Sequence, residues 1–195
     1  MNKENNNIID SYIAFWRPDD PYNYMGQWYV SDFKFNNDDI INLPNYITSL
    51  SLYTNKINVV NKLGSNIIYN SAEKFMMMGK AALFDDDFIF NKMLNTDSPK
   101  TQKALGRKVK NFDEHTWNAY NKDIVILGNY LKFSQNEILK NNLESTKSKV
   151  LIEGSPLDKI WGVGLRFDDP DIQYKNKWKG TNYLGECLEY VRDHI

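Results

Sequence analysis

The sequence predicts an α+β fold that is mostly helical and contains a few short strands. Apolar residues recur at helical spacing through much of residues 70–143, whereas β-branched runs are short and isolated. The 195 residues are 42% hydrophobic and 14% aromatic, which is enough for one domain with a substantial core. We therefore expect a single domain over residues 9–195, preceded by a flexible tail at residues 1–8.

The N-terminal third predicts strands and loops. Residues 9–15 favour a strand, and residues 17–26, rich in Pro, Asp, Asn and Tyr, favour a loop. Residues 27–33 alternate loosely, which predicts either a strand or a ligand-binding loop. Residues 36–66 contain Ile and Val runs broken by Pro, Gly and several Asn. This pattern indicates an inserted hairpin between two parts of the core.

Capping residues and helical spacing predict the elements of the remaining chain. Asn70 is placed to cap a helix with Glu73 at its third position, and Ser134 forms a similar capping box with Glu137. We predict helices at residues 70–83, 87–94, 98–109, 113–133, 134–143 and 183–194, and a strand at residues 150–152.

Composition excludes several classes of function. The net charge of −1 lacks the basic excess of general nucleic-acid binders and of proteins that bind anionic membranes. No apolar run approaches about 18 residues, so no spanning helix is predicted. The single cysteine, Cys187, excludes an internal disulfide framework, and the polar N-terminus lacks an apolar signal core. We expect a reducing, cytoplasmic location.

Histidine and cysteine are also too scarce for a zinc site, with two and one in the chain. Carboxylates alone could hold a metal ion, but no motif supports such a site. We therefore expect neither a metal nor another cofactor.

Residues 151–164 contain the chain's densest group of unusual residues. Glu153 ends a β-branched run, Gly-Ser-Pro turns the chain, and Asp158 lies three residues before Trp161 and Gly-Val-Gly. Two carboxylates, an aromatic face and glycines predict a pocket for a flat, polar ligand. The structural alternative is a helix start, with Ser155 as its cap and Asp158 favouring the helix dipole. That alternative leaves the tryptophan and the glycines unexplained.

Glu73 and Lys80 lie seven residues apart, two turns along one face of the predicted helix. Burial there would lower the lysine pKa and raise the glutamate pKa, whereas pairing would oppose both shifts. Lys80 could then act as an amine nucleophile towards a sugar aldehyde carbon, and Glu73 as a general acid or base. The structural alternative is that Glu73 closes a capping box while Lys80 extends to solvent.

Two further features suggest contacts with a ligand. Gly106 lies inside a predicted helix, at a cost of about 1 kcal/mol relative to alanine, and Arg107 beside it could bind a phosphate bidentately. The alternative for Arg107 is a solvated basic face shared with neighbouring lysines. Trp28 and Tyr29 could stack on a base, although core packing is commoner for an aromatic pair.

Eight stretches occur in an order that points to a known family. They are Gly26-Gln-Trp-Tyr29 with Phe33, Ser71-Ala-Glu73 with Met76-Met77 and Lys80-Ala81, Leu105-Gly-Arg107-x-Val109, Phe112 with Trp117, Lys132-Phe133, Leu143 with Thr146, Glu153-x-Ser-Pro-x-Asp158-x-x-Trp-Gly-Val-Gly164, and Gly180-x-Asn182-x-Leu-Gly185 through Val191-Arg192. No single motif is decisive, but together they resemble the NADAR family, the YbiA-like N-glycosidases, over about residues 13–192.

The resemblance implies a YbiA-like fold and hydrolysis of the N-glycosidic bond between a ribose and a nitrogenous base. The implied substrates are phosphorylated riboflavin-pathway intermediates or ADP-ribosylated guanine, free or within a nucleic acid. The implied catalytic residues are Glu73, Lys80 and Asp158. The implied substrate-binding residues are Trp28, Arg107, Trp161 and Asn182. The chain departs from the family pattern in the 36–66 insertion and at Gly26, where the family often has serine, and both departures concern substrate identity more than reaction type.

Two mechanisms fit these residues. In the first, one carboxylate activates water and an acid protonates the departing nitrogen, with Asp158 and Glu73 as the pair. In the second, which we favour, Lys80 attacks the anomeric carbon and forms a Schiff base, while Glu73 or Asp158 moves protons. The rival functions are a non-catalytic module that binds ADP-ribose or a nucleotide, and an interaction protein that docks through the inserted segment.

Overall fold

The computed structural model describes residues 8–36 and 43–195. The strands in these ranges are β1 (Tyr12–Phe15), β2 (Phe33–Asn36), β3 (Ser65–Tyr69) and β4 (Val150–Glu153). The helices are α1 (Asn45–Thr48), α2 (Ser51–Asn55), α3 (Ile57–Leu63), α4 (Ala72–Leu83), α5 (Asp87–Leu94), α6 (Pro99–Gly106), α7 (Glu114–Ser134), α8 (Glu137–Glu144) and α9 (Tyr183–Arg192). The prediction of a mostly helical α+β fold is confirmed. Over the described residues, no helix combines the length and the apolar character needed to cross a membrane.

The contacts between elements divide the described chain into two compact units. Unit 1 contains the residues up to Gly26 together with Asn141–Asp193, and unit 2 contains Gln27–Lys140 together with His194–Ile195. The expected single domain over residues 9–195 stays a prediction. Most of the expected tail, residues 1–7, lies outside the described residues, whereas Ile8 forms an antiparallel bridge with Tyr174.

Unit 1 is built on a parallel pair of strands, β1 and β4. Tyr12 pairs with Val150 at one end and Phe15 pairs with Glu153 at the other. Helix α9 packs against β4, because apolar residues at helical spacing give it one buried face. An apolar cluster in this unit is formed by Ile152, Val163, Leu165 and Ile172. Because β1 and β4 are parallel, the carboxyl ends of both strands lie at the same edge of the pair.

Unit 2 is organised around α4, which packs against α3, α5, α6 and α7. Every residue of α4 except Lys80 is buried, as expected for a helix with neighbours on all sides. Close approach of α6 explains Gly106, since a Cβ there would lie 2.1 Å from Met77 Sδ. Of the two explanations for Gly106, helix packing is therefore the one that the contacts support.

Predicted ends of α4, α6 and α8 were displaced by two or three residues, and α9 ends at Arg192 rather than at residue 194. Ser71, rather than Asn70, caps α4 by accepting the Lys74 N–H at 3.2 Å, because the Asn70 side chain bonds instead to Asp97 and Gln102. Likewise α8 starts after Asn136, whose side chain accepts the Leu139 N–H, whereas Ser134 ends α7. Helix α6 ends at Gly106 rather than at residue 109.

The predicted hairpin within residues 36–66 was wrong for the described part of that segment. Residues 37–42 lie outside the described residues, and the chain from residue 43 forms α1, α2 and α3 before β3. The apolar residues there recur at helical spacing. Those that are buried include Ile47, Leu52, Val59, Val60 and Leu63. The Asp123 carboxylate accepts the Leu52 N–H at 2.9 Å and thereby binds α2 to α7.

Residues 27–33, left open between a strand and a loop, form a loop as far as Asp32, and β2 begins at Phe33. β2 and β3 pair antiparallel, with Phe33 opposite Tyr69. The two rings stack with centroids 5.5 Å apart. This pair leads the chain into α4 and so fixes the start of the helix that carries Glu73 and Lys80.

Candidate functional site

Glu73 lies in the first turn of α4 and is only 4% exposed. Because Ser71 is the cap, Glu73 is the second helical residue, and the capping-box explanation for it was wrong. Its N–H donates to the Gln27 carbonyl oxygen at 2.9 Å. The Gln27 amide in turn accepts from Asn129 Nδ2 at 3.2 Å. Glu73 therefore belongs to a buried polar cluster that links the 27–32 loop, α4 and α7.

Lys80 lies two turns further along α4, and its side chain is half-buried under aromatic rings. The ammonium lies 4.1 Å from the Phe112 ring centroid and 5.5 Å from the Trp117 ring centroid. Burial lowers the pKa of Lys80, because a desolvated ammonium is less stable than a hydrated one. Rings at this distance favour the charged form, whereas burial disfavours it. A larger fraction of this amine is consequently neutral and nucleophilic near pH 7 than for an exposed lysine.

The two residues are about 10 Å apart along the helix axis, at 1.5 Å per residue. They project from one helix, as the sequence predicted. Side chains on a helix pair when their residues are three or four apart, so Glu73 and Lys80 are too far apart to form a local ion pair. Residues at this spacing lie on the same face of a helix.

Lys132 of α7 is a buried titratable residue whose burial the sequence arguments did not predict. It is fully buried, and its ammonium lies 5.4 Å from the Tyr29 ring centroid and 4.9 Å from the Phe133 ring centroid. Burial lowers the pKa of Lys132 to about 7. The available signal was a lysine inside the apolar run Tyr130-Leu-Lys-Phe133 of a long helix.

Trp28 and Arg107 also belong to unit 2, and both are exposed. Trp28 is 47% exposed, and the Lys103 ammonium lies 6.0 Å from its ring centroid. Arg107 is the C-terminal cap of α6, and Lys108 beside it is exposed as well. The side chains are accessible to a ligand, as an aromatic platform and a phosphate contact require.

Asp158 and Trp161 lie in unit 1, in a turn after β4. The alternative of a helix beginning at Ser155 was wrong, since residues 155–164 form bends. Asp158 Oδ1 instead accepts the backbone N–H groups of Ile160 at 3.0 Å and Trp161 at 2.8 Å. The carboxylate therefore shapes the turn, a common use of aspartate. The Trp161 ring meets the Tyr183 ring edge-on, with centroids 6.1 Å apart.

Gly162 allows this turn to close onto the end of β4. A Cβ there would lie 2.8 Å from the Glu153 carbonyl oxygen, which accepts the Val163 N–H at 3.0 Å. The sequence predicted that glycines here permit close backbone approach, and Gly162 does approach the β4 backbone closely. Glu153, Asp158 and Trp161 are thus brought to one end of β4.

Asn182 is buried at the start of α9, with a left-handed φ of 58°. Its Nδ2 donates to the Leu151 carbonyl oxygen at 2.8 Å, and its Oδ1 accepts the Glu153 N–H at 3.0 Å. Both ends of the amide are used by the β4 backbone. These contacts give Asn182 the part of a positioning residue for the end of that strand.

Metal ligands do not cluster in the part of the chain that the structure describes: no group of three or more His, Cys, Asp or Glu is placed to bind an ion. The expectation that no metal or cofactor is needed stays a prediction.

The NADAR domain family model matches residues 14–195. N-glycosidase R617 of Acanthamoeba polyphaga mimivirus is 45% identical over 125 residues, which cover 64% of this chain and 74% of that protein. Protein irg-1 of Caenorhabditis elegans is 36% identical over 129 residues, covering 65% and 61% of the two proteins. The resemblance found in the sequence motifs is confirmed.

Two other similarities are more restricted. The chloroplastic riboflavin biosynthesis protein PYRR of Zea mays is 30% identical over 131 residues, which cover 65% of this chain but 19% of the maize protein. The NMR structure of Escherichia coli YbiA matches with a TM-score of 0.64 over 94% of this chain and 84% of that one. At 18% identity this match concerns the fold, and the predicted YbiA-like fold is confirmed.

Proposed function

Because the chain belongs to the NADAR family, we propose that it hydrolyses the N-glycosidic bond between a ribose and a nitrogenous base. The family match and the similarity to the viral N-glycosidase confirm that the chain is a hydrolase acting on N-glycosyl compounds. The bond cleaved and the residues that cleave it are the proposal.

The observation that carries the mechanism is the environment of Lys80. The amine projects from a buried helix, lies under two aromatic rings and has a pKa lowered by burial. A lysine of this kind is suited to form a Schiff base with a sugar carbon. An exposed lysine would remain protonated near pH 7 and would be a poor nucleophile.

The proposed reaction begins when the neutral Lys80 amine attacks the anomeric carbon. The carbon–nitrogen bond to the base breaks, and the base nitrogen leaves with the electron pair and takes a proton from an acid. The Lys80 nitrogen then gives up a proton, the bond from the anomeric carbon to the ring oxygen breaks, and that oxygen takes a proton, which leaves a protonated Schiff base on Lys80 and an open-chain sugar. Water then adds to the carbon of that C=N bond, which releases the ribose and restores the amine.

Glu73 is our proposal for one proton carrier, because a buried carboxyl group two turns along the same helix can face the bound sugar. Asp158 is the second proposed acid or base, and the exposed part of the Trp161 ring is proposed to stack on the base. Trp28 is proposed to stack on the base, and Arg107 is proposed to contact a second phosphate group where the substrate carries one, as ADP-ribosylated guanine does. Asn182 is proposed to act indirectly, through the end of β4.

Two substrate types remain proposals: phosphorylated riboflavin-pathway intermediates and ADP-ribosylated guanine, free or in a nucleic acid. The name of the maize relative supports the first, although only 19% of that protein is matched. The predicted cytoplasmic location belongs to this proposal as well.

The test is incubation of purified protein with ADP-ribosylated guanosine and, in parallel, with a phosphoribosylaminopyrimidine. Mass spectrometry would detect the released base and ribose, and borohydride reduction would trap a covalent sugar adduct. We expect release from one substrate and an adduct that maps to the peptide containing Lys80. Release without an adduct, while a control Schiff-base enzyme is trapped, would support direct attack by water instead. No release from either substrate, with retained ADP-ribose binding, would indicate the non-catalytic module.

A further inference from the structure

The carboxyl-terminal edge of the β1–β4 pair in unit 1 carries a cation that none of the motifs above includes. Phe15 and Glu153 are opposite each other at the ends of the two parallel strands, and the Gly154 N–H donates to the Phe15 carbonyl oxygen at 3.0 Å. Arg17 therefore leaves β1 at the edge where Glu153 and the Asp158 turn leave β4. Ligands of parallel sheets bind characteristically beyond the carboxyl ends of the strands.

Two aromatic rings lie within cation–π distance of the exposed Arg17 side chain. The guanidinium carbon lies 5.5 Å from the Trp16 ring centroid and 5.9 Å from the Phe167 ring centroid. Phe167 is itself fixed against the strand end, since a Cβ on Gly154 would lie 2.3 Å from the Phe167 Cα. The exposed guanidinium therefore lies beside Phe167, which packs against Gly154, the residue that follows Glu153.

The neighbouring carboxylates already have partners. Asp168 forms a bidentate pair with Arg166, through bonds of 2.8 and 2.9 Å. Arg166 is the main cause of the lowered pKa of Asp168, and the Arg17 charge contributes less. Asp20 accepts the N–H groups of Trp16 at 3.1 Å and Tyr22 at 2.8 Å. In unit 1 as described, the Arg17 guanidinium contacts rings and forms no ion pair.

We propose that Arg17 binds a phosphate group of the substrate, a phosphate ester of the ribose whose N-glycosidic bond is cleaved. A guanidinium presents parallel N–H donors that match two phosphate oxygens. This inference rests on the proposed function and assigns it a residue that recognises phosphorylated sugars. The competing explanation is that Arg17 only packs on Trp16 and Phe167.

The test compares a phosphoribosylaminopyrimidine with its dephosphorylated riboside. For Arg17→Gln, we expect kcat/KM to fall about 10- to 100-fold with the phosphorylated substrate, as for a lost charge-assisted hydrogen bond. With the riboside, we expect kcat/KM to stay within about twofold. Arg17→Lys keeps the charge and part of the stem, and should give a smaller loss that is again specific to the phosphorylated substrate. Lys177→Gln, which removes an exposed cation elsewhere in unit 1, is the control for loss of a charge.

An equal loss on both substrates would show that Arg17 has a packing role, and would overturn the inference. Equal kcat/KM values for wild type and Arg17→Gln would overturn it too. If the wild type cleaves neither substrate, the proposed function fails and the inference is tested by calorimetry with ribose 5-phosphate and ribose. Selective binding of ribose 5-phosphate that Arg17→Gln abolishes would then sustain it. Absence of that selectivity in the wild type, or its persistence in the variant, would refute it.

Discussion

Lys80 of unit 2 and Asp158 of unit 1 are both candidates for chemistry, but the chain prepares them differently. Lys80 projects from a helix that is otherwise buried, and burial under aromatic rings lowers its pKa. Asp158 lies in a bend and binds two backbone N–H groups of its own turn. Tertiary packing therefore adjusts the reactivity of the amine, whereas local backbone structure fixes the direction of the carboxylate. Substitutions should separate these two kinds of preparation.

Lys80→Met should have the largest effect, because it removes the proposed nucleophile and keeps the apolar stem. We expect turnover to fall by roughly 10³-fold or more, with a free energy of unfolding equal to or above that of the wild type. The matched control is Lys92→Met, because the Lys92 ammonium also lies over a ring, Phe88, at 4.3 Å. Initial rates and chemical denaturation would be measured for both. Substantial activity in Lys80→Met would exclude the Schiff-base route.

Asp158→Asn should have the next largest effect. Its amide oxygen can still accept the N–H groups of Ile160 and Trp161, so the turn and the stability should be retained while the negative charge is lost. We expect turnover to fall by about 10²- to 10³-fold, and the unfolding midpoint to stay close to that of the wild type. Asp158→Ala, which also removes the bonds of the turn, should lose both. An active Asp158→Asn paired with a destabilised Asp158→Ala would assign the carboxylate a structural role.

Phe112→Ala should change the pH dependence of the reaction more than its maximal rate. Phe112 covers the Lys80 amine and packs on Phe84, with ring centroids 5.3 Å apart. Hydration of the uncovered amine should raise its pKa towards the ordinary value, so turnover at pH 7 should fall roughly 3- to 10-fold and recover at higher pH. Phe88→Ala, which uncovers the unrelated Lys92, is the control. A uniform loss at every pH would contradict the proposed role of the ring.

Lys132→Met should have the smallest effect, because it should change only the stability of the fold. The folded-state pKa of Lys132 is about 7, below the ordinary value of 10.5. Between these values the unfolded chain binds the extra proton, so the wild-type free energy of unfolding should rise with pH, by at most about 1.4 kcal/mol per pH unit. Denaturation at pH 7, 8 and 9 should show a steeper rise in the wild type than in Lys132→Met. Identical slopes would show that burial does not perturb this lysine.

The sequence predicted the long helices of unit 2 well because their signals are local. Asp86 and Asp113 cap α5 and α7, and both helices lie within one residue of the predicted bounds. The segment from residue 43 to α3 failed because its short helices depend on tertiary contacts such as the bond from Leu52 to Asp123. Local patterns of β-branched residues and asparagine favoured strands instead.

The sequence allowed us to predict which residues are candidates, but not what surrounds each of them in the fold. The spacing of Glu73 and Lys80 placed both on one helix, but the aromatic cover over Lys80 comes from a separate loop and from α7. The turn at Asp158 resembled a helix start in sequence, and contact of Gly162 with the β4 backbone favours a bend instead. Neither the burial of Lys132 nor the placement of Arg17 beside Phe167 is a local property of the chain.

The parallel pairing of β1 with β4 has a consequence for how the chain folds during synthesis. Tyr12 pairs with Val150, so nearly all of unit 2 is translated between the two partners. Unit 2 can begin to fold on the ribosome while β1 still lacks its partner strand. Pairing of β1 with β4 then forms slowly, because closing a long loop has a high entropic cost. Nascent chains that stall before Glu153 would expose the apolar β1 strand as an aggregation-prone edge. Chaperone demand should therefore peak before β4 has emerged from the ribosome.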